Sequence, residues 1–257
     1  MKNEGEEYWS QRAEKEYIYK GEKFYTITAI PYYVKRRKII IDSLMQLIRK
    51  YNVARIADIG CGDGEYLNII HEEDKEYCGV DISEGMLQLA KQRCDNYKNV
   101  CFECSAEGTK KFDNYDMAYI VAMLAHVDDE TMKKLLSNIY QKISRGGVLC
   151  ICEQIAPNEI QGNGWKRRTF EGYVEALRDA SFEVDLTESF RIDFRVHRKI
   201  FERHLAKKFY EKKSRTECNK DKWYLTLSAI CTALSIRRKW KKPLSGWGYA
   251  FIVARKK

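Results

Sequence analysis

Three glycines and one aspartate are the residues of this sequence that could most directly hold a ligand. Gly60, Gly62 and Gly64 alternate with other residues directly after the apolar run RIADI, and Asp81 ends a second apolar run. A glycine turn after a buried strand lets the main chain approach a ligand closely, because no Cβ stands in the way. The third glycine comes one residue earlier than in the dinucleotide-binding pattern. Asp81 could accept hydrogen bonds from a ribose diol, so the pattern predicts a ligand that carries a nucleoside.

Cys101 and Cys104 have the spacing of a metal-binding or redox pair. No second pair lies at a zinc-like distance, and the segment is typical of a strand, in which this spacing sends side chains to opposite faces. We therefore expect plain burial of both thiols and predict no metal site. The nine cysteines, an odd number, do not suit a disulfide framework. The sequence also lacks a signal-peptide pattern, and together these features predict a cytoplasmic protein.

Short apolar runs alternate with helix-like stretches from residue 55 onward. This alternation predicts a mostly parallel sheet with helices on both faces, which would bring the glycine turn and Asp81 to one edge. Ser83 is predicted as the N-cap of the helix that follows the second strand. The stretch DDETMKKLLSNIYQKI predicts an amphipathic helix, because its apolar residues recur at helical spacing. They are Met132, Leu135, Leu136, Ile139 and Ile143.

The formal net charge of +9 is concentrated in one region. Residues 195–242 hold sixteen Lys and Arg against four Asp and Glu, so the rest of the chain is slightly acidic. Such a region suggests an anionic partner: a phosphorylated sugar, a nucleotide-sugar, a lipid-linked glycan or an anionic membrane surface. The stretch RVHRKIFERHLAKKFYEKK has the pattern of a peripheral membrane helix, although we expect its apolar stripe to pack in a core. RNA is an alternative partner without a recognisable binding module.

The stretch ADIGCGDG followed by GVDIS resembles the class I S-adenosylmethionine (SAM)-dependent methyltransferases. SAEG after the third strand and SRGGVLCICE before the fifth continue the likeness, which runs from about Arg55 to Ile155 and includes the final strand. The resemblance implies a Rossmann-like α/β fold, with six parallel strands and an antiparallel seventh. It also implies SAM as the cofactor and S-adenosylhomocysteine as the product.

The resemblance implies that the glycine turn holds the amino-acid end of SAM, through Asp58, Gly60, Cys61 and Gly62, while Asp81 holds the ribose. The resemblance places four residues near the adenine: Ile82, Met86, Ala106 and Glu107. It places three beside the sulfonium: Val121, Ala122 and Met123. No metal is implied, since Asp128, Asp129 and Glu130 fit the start of a helix, where acidic groups are favourable.

The resemblance divides the chain into four predicted parts. Residues 1–33 are expected to form an N-terminal lid, residues 34–195 the SAM-binding core, residues 196–242 a basic two-helix insertion and residues 243–257 the final strand. The two helices of the insertion are predicted from two apolar stripes: Val196, Ile200, Phe201, Leu205 and Phe209 in the first, and Trp223, Leu227, Ile230, Cys231 and Leu234 in the second.

Two residues near the expected methyl group could assist the reaction. His126 follows the fourth strand, where related small-molecule and amine methyltransferases often carry a histidine, and its imidazole could accept a proton at neutral pH; packing or capping is the alternative role. Trp9 lies in the stretch YWSQRA, which looks like the leading helix that folds over SAM in this superfamily. Its ring could stack near the sulfonium, or simply pack in that helix.

The sequence does not identify the molecule that accepts the methyl group. The stretch YIVAMLAHVDDE does not resemble the loops of nucleobase-amine or cytosine-C5 methyltransferases, so base methylation is disfavoured. The expected function is methyl transfer to an oxygen or nitrogen of a small-molecule or saccharide-type, anionic acceptor. A methyltransferase acting on RNA or a protein amine and a SAM-binding protein without catalysis are the alternatives. The oligomeric state is left open.

Overall fold

The computed structural model describes residues 4–14, 17–19, 22–24, 30–162, 164–193, 222–233, 236–240 and 248–257. The helices in these residues are α1 (Glu4–Ala13), α2 (Ile30–Lys50), α3 (Glu65–Ile70), α4 (Glu84–Arg93), α5 (Asp129–Lys142), α6 (Phe170–Asp179) and α7 (Lys222–Ala233), with a 3-10 turn at Leu124–His126. The strands are β1 (Tyr17–Tyr19), β2 (Glu22–Phe24), β3 (Arg55–Ile59), β4 (Glu76–Asp81), β5 (Val100–Cys104), β6 (Tyr115–Val121), β7 (Ile143–Ile155), β8 (Ile160–Gly162), β9 (Trp165–Arg167), β10 (Glu183–Asp193), β11 (Ile236–Trp240) and β12 (Gly248–Arg255).

One sheet of eight strands organises the described residues, in the order β11-β10-β12-β7-β6-β3-β4-β5. Neighbours from β7 to β5 run parallel, whereas β12 pairs antiparallel with both β7 and β10. The strand β10 therefore points the same way as β7, and the predicted arrangement of six parallel strands with an antiparallel seventh is confirmed. Because parallel strands end at the same edge, the segments that follow β3, β4 and β6 are neighbours.

The sheet also contains strands that the sequence analysis does not predict. The strand β11 pairs antiparallel with β10 and adds an eighth strand at the edge, within the region predicted as a two-helix insertion. The pairs β8–β9 and β1–β2 form two small hairpins outside this sheet. All five of these strands span three to five residues, too few for a period of two to be distinguished from a loop.

Helix α7 packs against α2, and the face that it buries differs from the predicted apolar stripe. Tyr224, Leu225 and Ser228 are buried, while Trp223 is 74% and Ile230 is 53% exposed. The predicted buried stripe is therefore wrong at Trp223 and Ile230, because the surface that α2 offers decides which face is covered. The other predicted stripe, in residues 196–209, lies outside the described residues, as does Leu234. No helix within the described ranges has the length and apolar character needed to cross a bilayer.

The core helices begin and pack as predicted. Ser83 Oγ accepts a hydrogen bond from Met86 N at 3.2 Å, and Asp128 caps α5 in the same way by accepting from Thr131 N at 2.7 Å. Helices cover both faces of the sheet, so the central strands are buried on both sides. The predicted apolar stripe of α5 is buried at Met132, Leu135, Leu136 and Ile139, and Ile143, which is also buried, begins β7.

The predicted burial of Cys101 and Cys104 is wrong. Both thiols are exposed, because β5 is an edge strand with a neighbour on one side only. The other five described cysteines are free and buried: Cys61, Cys78, Cys94, Cys150 and Cys152.

Candidate active site

The loop between β3 and α3 exposes its main chain at the carboxyl edge of the sheet. Gly60, Gly62 and Gly64 have φ angles of +76°, +55° and +71°, in the left-handed region that favours glycine. A Cβ on Gly60 would lie 2.5 Å from Cγ of Met123, which follows β6. Gly60 is therefore required both by its backbone conformation and by the close approach of the β6 exit.

Asp81 joins the end of β4 to this loop. Its Oδ2 accepts a hydrogen bond from Gly62 N at 2.9 Å, and its Oδ1 accepts one from Ser83 N at 2.9 Å. Burial raises the pKa of Asp81, and these hydrogen bonds oppose the rise. Because an ionised carboxylate has about four acceptor positions, about two stay available for hydroxyl donors such as a ribose diol. The structure thus brings the glycine loop and Asp81 together.

Asp58 lies below the loop as a buried carboxyl group. Its Oδ2 is buried and has no hydrogen-bond partner among the described residues. Burial raises the pKa of Asp58 to about 8, and the hydroxyl of Tyr119, its register partner on β6, opposes part of that rise. A buried acceptor of this kind is stabilised by a cation, so it fits the ammonium group of an amino-acid ligand held at the loop.

Cys61 can offer only its main chain to such a ligand. Its N–H donates to Val80 O at 2.9 Å, and its thiol is buried beneath the loop. A Cβ on Gly79 of β4 would lie 2.7 Å from the Phe102 ring and 3.0 Å from Cys61 Sγ, so the ring and the thiol together fill the space that Gly79 leaves open.

Four further residues were predicted near the adenine. Ile82 is half-buried and Met86 is buried, whereas Ala106 and Glu107 are exposed. The carboxylate of Glu107 accepts a hydrogen bond from Lys134 Nζ at 2.5 Å, and this ion pair lowers the pKa of Glu107. Its side chain is therefore bonded to α5, and the structure does not bring it to the Asp81 carboxylate.

The end of β6 contains a strained residue. Ala122 has a φ angle of +54°, and its N–H donates to Cys152 O at 3.0 Å. The left-handed conformation costs a residue with a Cβ about 1–2 kcal/mol, and such strain is concentrated at functional sites. Val121 and Ala122 are both half-buried at the carboxyl edge. No feature of the sequence indicates this strain.

Helix α1 lies across the exits of β4 and β6. Ser10 Oγ is 3.1 Å from Ser83 Oγ, at the start of α4. The ring of Trp9 meets the ring of His126 at right angles, with 5.0 Å between centroids. The N-terminal helix thus brings Trp9 and His126 together at this edge of the sheet, although 117 residues separate them in the sequence.

The surroundings of His126 favour a neutral ring. Its Nδ1 lies 3.4 Å from the carbonyl oxygen of Gly164, and a proton on Nδ1 leaves Nε2 free to accept another. The protein packed around the ring lowers the pKa of His126; the Gly164 carbonyl opposes this, and the charge of Arg12 lowers the pKa further. The unprotonated form is therefore favoured at pH 7, and part of the ring stays exposed to solvent.

Two buried charged residues hold the turn that carries His126. Glu153 Oε1 accepts a hydrogen bond from Leu124 N at 2.7 Å. Arg168 donates to Leu124 O at 2.6 Å and to Val127 O at 2.8 Å. Burial raises the pKa of Glu153 to about 7. Sequence reasoning missed both residues: Glu153 is detectable as a lone acid in an apolar run, but Arg168 looks like any surface base.

Arg36 of α2 places a guanidinium group at the same edge of the sheet. It lies 4.8 Å from the ring centroid of Tyr33 and 5.6 Å from that of Tyr249. The Tyr249 hydroxyl accepts hydrogen bonds from Gln154 at 2.6 Å and from Arg36 at 3.4 Å. Gln154 and Tyr249 are register partners at the carboxyl end of β7, the strand next to β6. Sequence reasoning missed this group, because its members are far apart in the chain.

Comparisons with known proteins agree with this geometry. A family model described as a methyltransferase domain matches residues 57–149. An uncharacterized protein of Methanocaldococcus jannaschii is 29% identical over 188 residues, which are 66% of this chain and 47% of that protein. The carboxy-S-adenosyl-L-methionine synthase of Helicobacter pylori strain G27 is 29% identical over 132 residues, which are 49% of this chain and 55% of that enzyme. The chain spans about half the length of these curated relatives.

A solved structure extends the likeness over most of the chain. The O-methyltransferase from a trans-AT polyketide synthase multienzyme of Brevibacillus brevis, in complex with S-adenosyl-L-homocysteine, aligns with a TM-score of 0.61 at 17% identity. The alignment covers 90% of this chain and 77% of that one, and at this identity it shows the fold alone. The family match covers the glycine loop, Asp81 and the β6 exit. These likenesses support a class I, Rossmann-like S-adenosylmethionine-dependent methyltransferase domain in this chain, with S-adenosylmethionine as its cofactor.

Proposed function

We propose that the chain transfers the methyl group of SAM to an oxygen or nitrogen of a small-molecule or saccharide-type acceptor that carries a negative charge. The observation that carries this proposal is the position of His126. It lies under Trp9, directly after the strained end of β6, on the edge where the glycine loop and Asp81 meet. A neutral imidazole there supports a reaction in which an acceptor loses a proton.

SAM supplies an electrophilic methyl group on a sulfonium with a neutral leaving group. In our proposal Asp58 and the main chain at Gly60 and Gly62 bind its amino-acid end, and Asp81 binds its ribose. The adenine lies along Ile82 and Met86. Holding the acceptor atom in line with the methyl group can supply roughly 7–11 kcal/mol of the barrier reduction.

The residues around the proposed methyl position have separate tasks. His126 accepts the acceptor's proton at Nε2, while Nδ1 donates to Gly164 and keeps the ring oriented. Trp9 covers the site as part of α1 and excludes water. Glu153 and Arg168 are positioning residues, because they bond the main chain on either side of His126 and do not reach it themselves.

A negatively charged acceptor is supported by Arg36. A guanidinium group binds carboxylates and phosphates through two parallel hydrogen bonds, and flanking tyrosine rings restrict the ligand to a planar or slender group. The excess of Lys and Arg in residues 195–242 favours the same charge.

The acceptor class can be tested with methyl-labelled SAM and separated pools of phosphorylated sugars, nucleotide-sugars, RNA and protein. We expect the label in an anionic small molecule. Label in RNA or protein would overturn the acceptor class, and bound SAM without transfer to any pool would indicate a binding protein. A mass change of SAM itself would point to a reaction like the one for which the Helicobacter pylori relative is named.

The role of Arg36 can be tested on the acceptor identified in this way. We expect Arg36→Met to raise KM for that acceptor about tenfold, the loss of roughly one charge-assisted hydrogen bond, with a smaller change in kcat. Lys38→Met is the matched control, because Lys38 is an exposed cation on the same helix. An unchanged KM in Arg36→Met, with SAM binding intact, would contradict the assignment.

A further inference from the structure

Two thiols and a carboxylate lie close together on one face of the strands β4 and β5. Cys78 on β4 and Cys101 on β5 are register partners, and Glu103 follows two residues later on the same face of β5. One ligand atom of each residue lies within 4.8 Å of the other two. Cys78 Sγ is 3.6 Å from Glu103 Oε1. None of these three residues is used by the proposed methyl transfer.

The carboxylate of this cluster is held in a fixed orientation. Main-chain N–H groups of Lys110, Lys111 and Phe112 donate to the oxygens of Glu103, with the Phe112 bond at 3.2 Å. Oε1 accepts the Lys111 and Phe112 bonds and also faces the Cys78 thiol, so a cation bound there would take the place of the thiol proton. Ligating carboxylates in metal sites are oriented by outer hydrogen bonds in the same way.

The burial of the three residues gives the cluster one closed side and one open side. Cys78 is fully buried, Glu103 is half-buried and Cys101 is exposed on the edge strand. A small ion can therefore reach the buried thiol from solvent past Cys101. Solvent can also supply a fourth ligand, so the three protein ligands are enough for a tetrahedral site.

The geometry points to a site for a thiophilic divalent cation, of which Zn²⁺ is the physiological example, formed by Cys78, Cys101 and Glu103. Ligand atoms around one tetrahedral zinc ion lie roughly 3.5–3.8 Å apart, as its bond lengths of about 2.0–2.3 Å require. The observed spacing within 4.8 Å exceeds this value by at most about 1 Å. Each thiol that binds loses its proton to solvent as the metal–sulfur bond forms, and no electron is transferred.

Such an ion would join β4, β5 and the 110–112 loop at a place where the sheet has no further neighbour. Asp81 follows Cys78 by three residues and Ser105 follows Cys101 by four, so the ion would fix the strands that lead to the proposed SAM site without touching SAM. This inference does not depend on the acceptor or on methyl transfer.

The site can be tested with Cd²⁺, which binds thiolates as Zn²⁺ does and gives an ultraviolet charge-transfer band. We expect the reduced full-length chain to show a saturable band that Zn²⁺ displaces. Cys101→Ser and Glu103→Gln should each weaken Cd²⁺ binding at least tenfold. Cys104→Ser is the matched control, because Cys104 is an exposed thiol on the same strand outside the cluster, and it should bind Cd²⁺ like the wild type.

A second measurement uses the unmodified chain and does not depend on how the variants fold. Zn²⁺ should slow alkylation of Cys101 at least tenfold, as mapped by mass spectrometry, while Cys104 reacts at an unchanged rate. Equal Cd²⁺ binding by wild type and Cys101→Ser, equal losses in Cys101→Ser and Cys104→Ser, or no protection of Cys101 would each overturn the site.

Discussion

The residues around Gly62 and those around His126 reach the same edge of the sheet by different routes. On the first side, which we call the donor side, Gly62 and Asp81 are 19 residues apart and bond through main chain and one carboxylate. On the second, the acceptor side, Arg36 bonds Tyr249 from 213 residues away, and Trp9 of α1 contacts His126. The donor side is one continuous stretch of chain, whereas the acceptor side is assembled from five separate elements: α1, α2, the turn at Leu124–His126, β7 and β12.

The two sides also depend on different kinds of stabilising interaction. The donor side depends on backbone conformation, because Gly60 tolerates no Cβ and Asp81 bonds main-chain N–H groups. The acceptor side depends on buried charged and aromatic side chains, including Glu153, Arg168 and Arg36, whose bonds close only after distant segments have packed. Donor binding should therefore respond to changes in the loop, and turnover to changes in side chains far from it.

The sharpest separation of the two sides is expected from His126→Ala. Loss of a general base lowers kcat by about 10²–10⁴-fold, whereas SAM affinity measured by calorimetry should stay within twofold of wild type. His71→Ala is the control, because His71 stacks on Tyr97 away from the site and its loss should leave kcat unchanged. Full turnover by His126→Ala with normal SAM binding would remove the histidine from the mechanism.

The reverse separation is expected from Asp81→Ala. Each hydrogen bond to a charged group contributes about 1.5–3 kcal/mol, so losing the ribose contacts should weaken SAM binding about 100-fold. Asp116→Ala is the control, because Asp116 also accepts two main-chain N–H bonds, from Ala54 and Arg55, but at the opposite edge of the sheet. Equal SAM affinities in calorimetry for the two variants would show that Asp81 has only a structural role.

A third prediction separates two effects of adding a Cβ in the glycine loop: backbone strain and steric contact with a neighbouring side chain. Gly60 and Gly146 have almost the same φ, +76° and +78°, but only a Cβ on Gly60 would meet another residue, Met123. Gly146→Ala should lose about 1–2 kcal/mol of unfolding free energy from backbone strain, and Gly60→Ala a further 1–3 kcal/mol from overpacking. Denaturant unfolding measures both, and Gly60→Ala combined with Met123→Ala should recover part of the second loss. Equal losses in the two single variants would argue against the contact.

The smallest effect is a pH dependence of SAM binding through Asp58. Its folded pKa of about 8 lies above the value of about 3.8 for an unperturbed group, so its contribution to stability without SAM falls as pH rises between these values. A bound ammonium group favours the ionised carboxylate, so binding below pH 8 should release a proton. Affinity should then rise by at most about tenfold from pH 6.5 to 7.5.

Calorimetry in buffers of different ionisation enthalpy measures that proton directly. Asp58→Asn is isosteric and cannot titrate, so it should lose both the proton release and this part of the pH dependence. If Asp58→Asn releases as many protons as the wild type, the ammonium contact is not at Asp58.

The two sides also differ in how far the sequence predicts them. RIADIGCGDG and GVDIS are short local patterns. The residues that carry the prediction, three glycines and one acid at the end of a strand, can be read directly from these two stretches. They predicted the mostly parallel sheet and the meeting of the glycine loop with Asp81. The strain at Ala122 left no such signal, because alanine is common in helices and strands and does not mark a residue with left-handed backbone conformation.

The failures of prediction share one physical cause. The exposed Trp223 of α7, the edge strand β11 and the buried Arg168 are each decided by a surface that another segment offers, and single-sequence periodicity contains no information about that surface. Glu153 is the exception, since an acid inside an apolar strand already requires a partner.

The reversed direction of β12 has a consequence for how this scaffold can change. Because β10 ends and β12 begins at the carboxyl edge, the chain that connects them starts and finishes at the edge that also carries the glycine loop and Asp81. Insertions or deletions in that connection can thus alter this edge of the sheet while β3 and β4 keep their register. The direction of β12 thus makes this crossover a place where the proposed acceptor site can change without a change in the parallel strands.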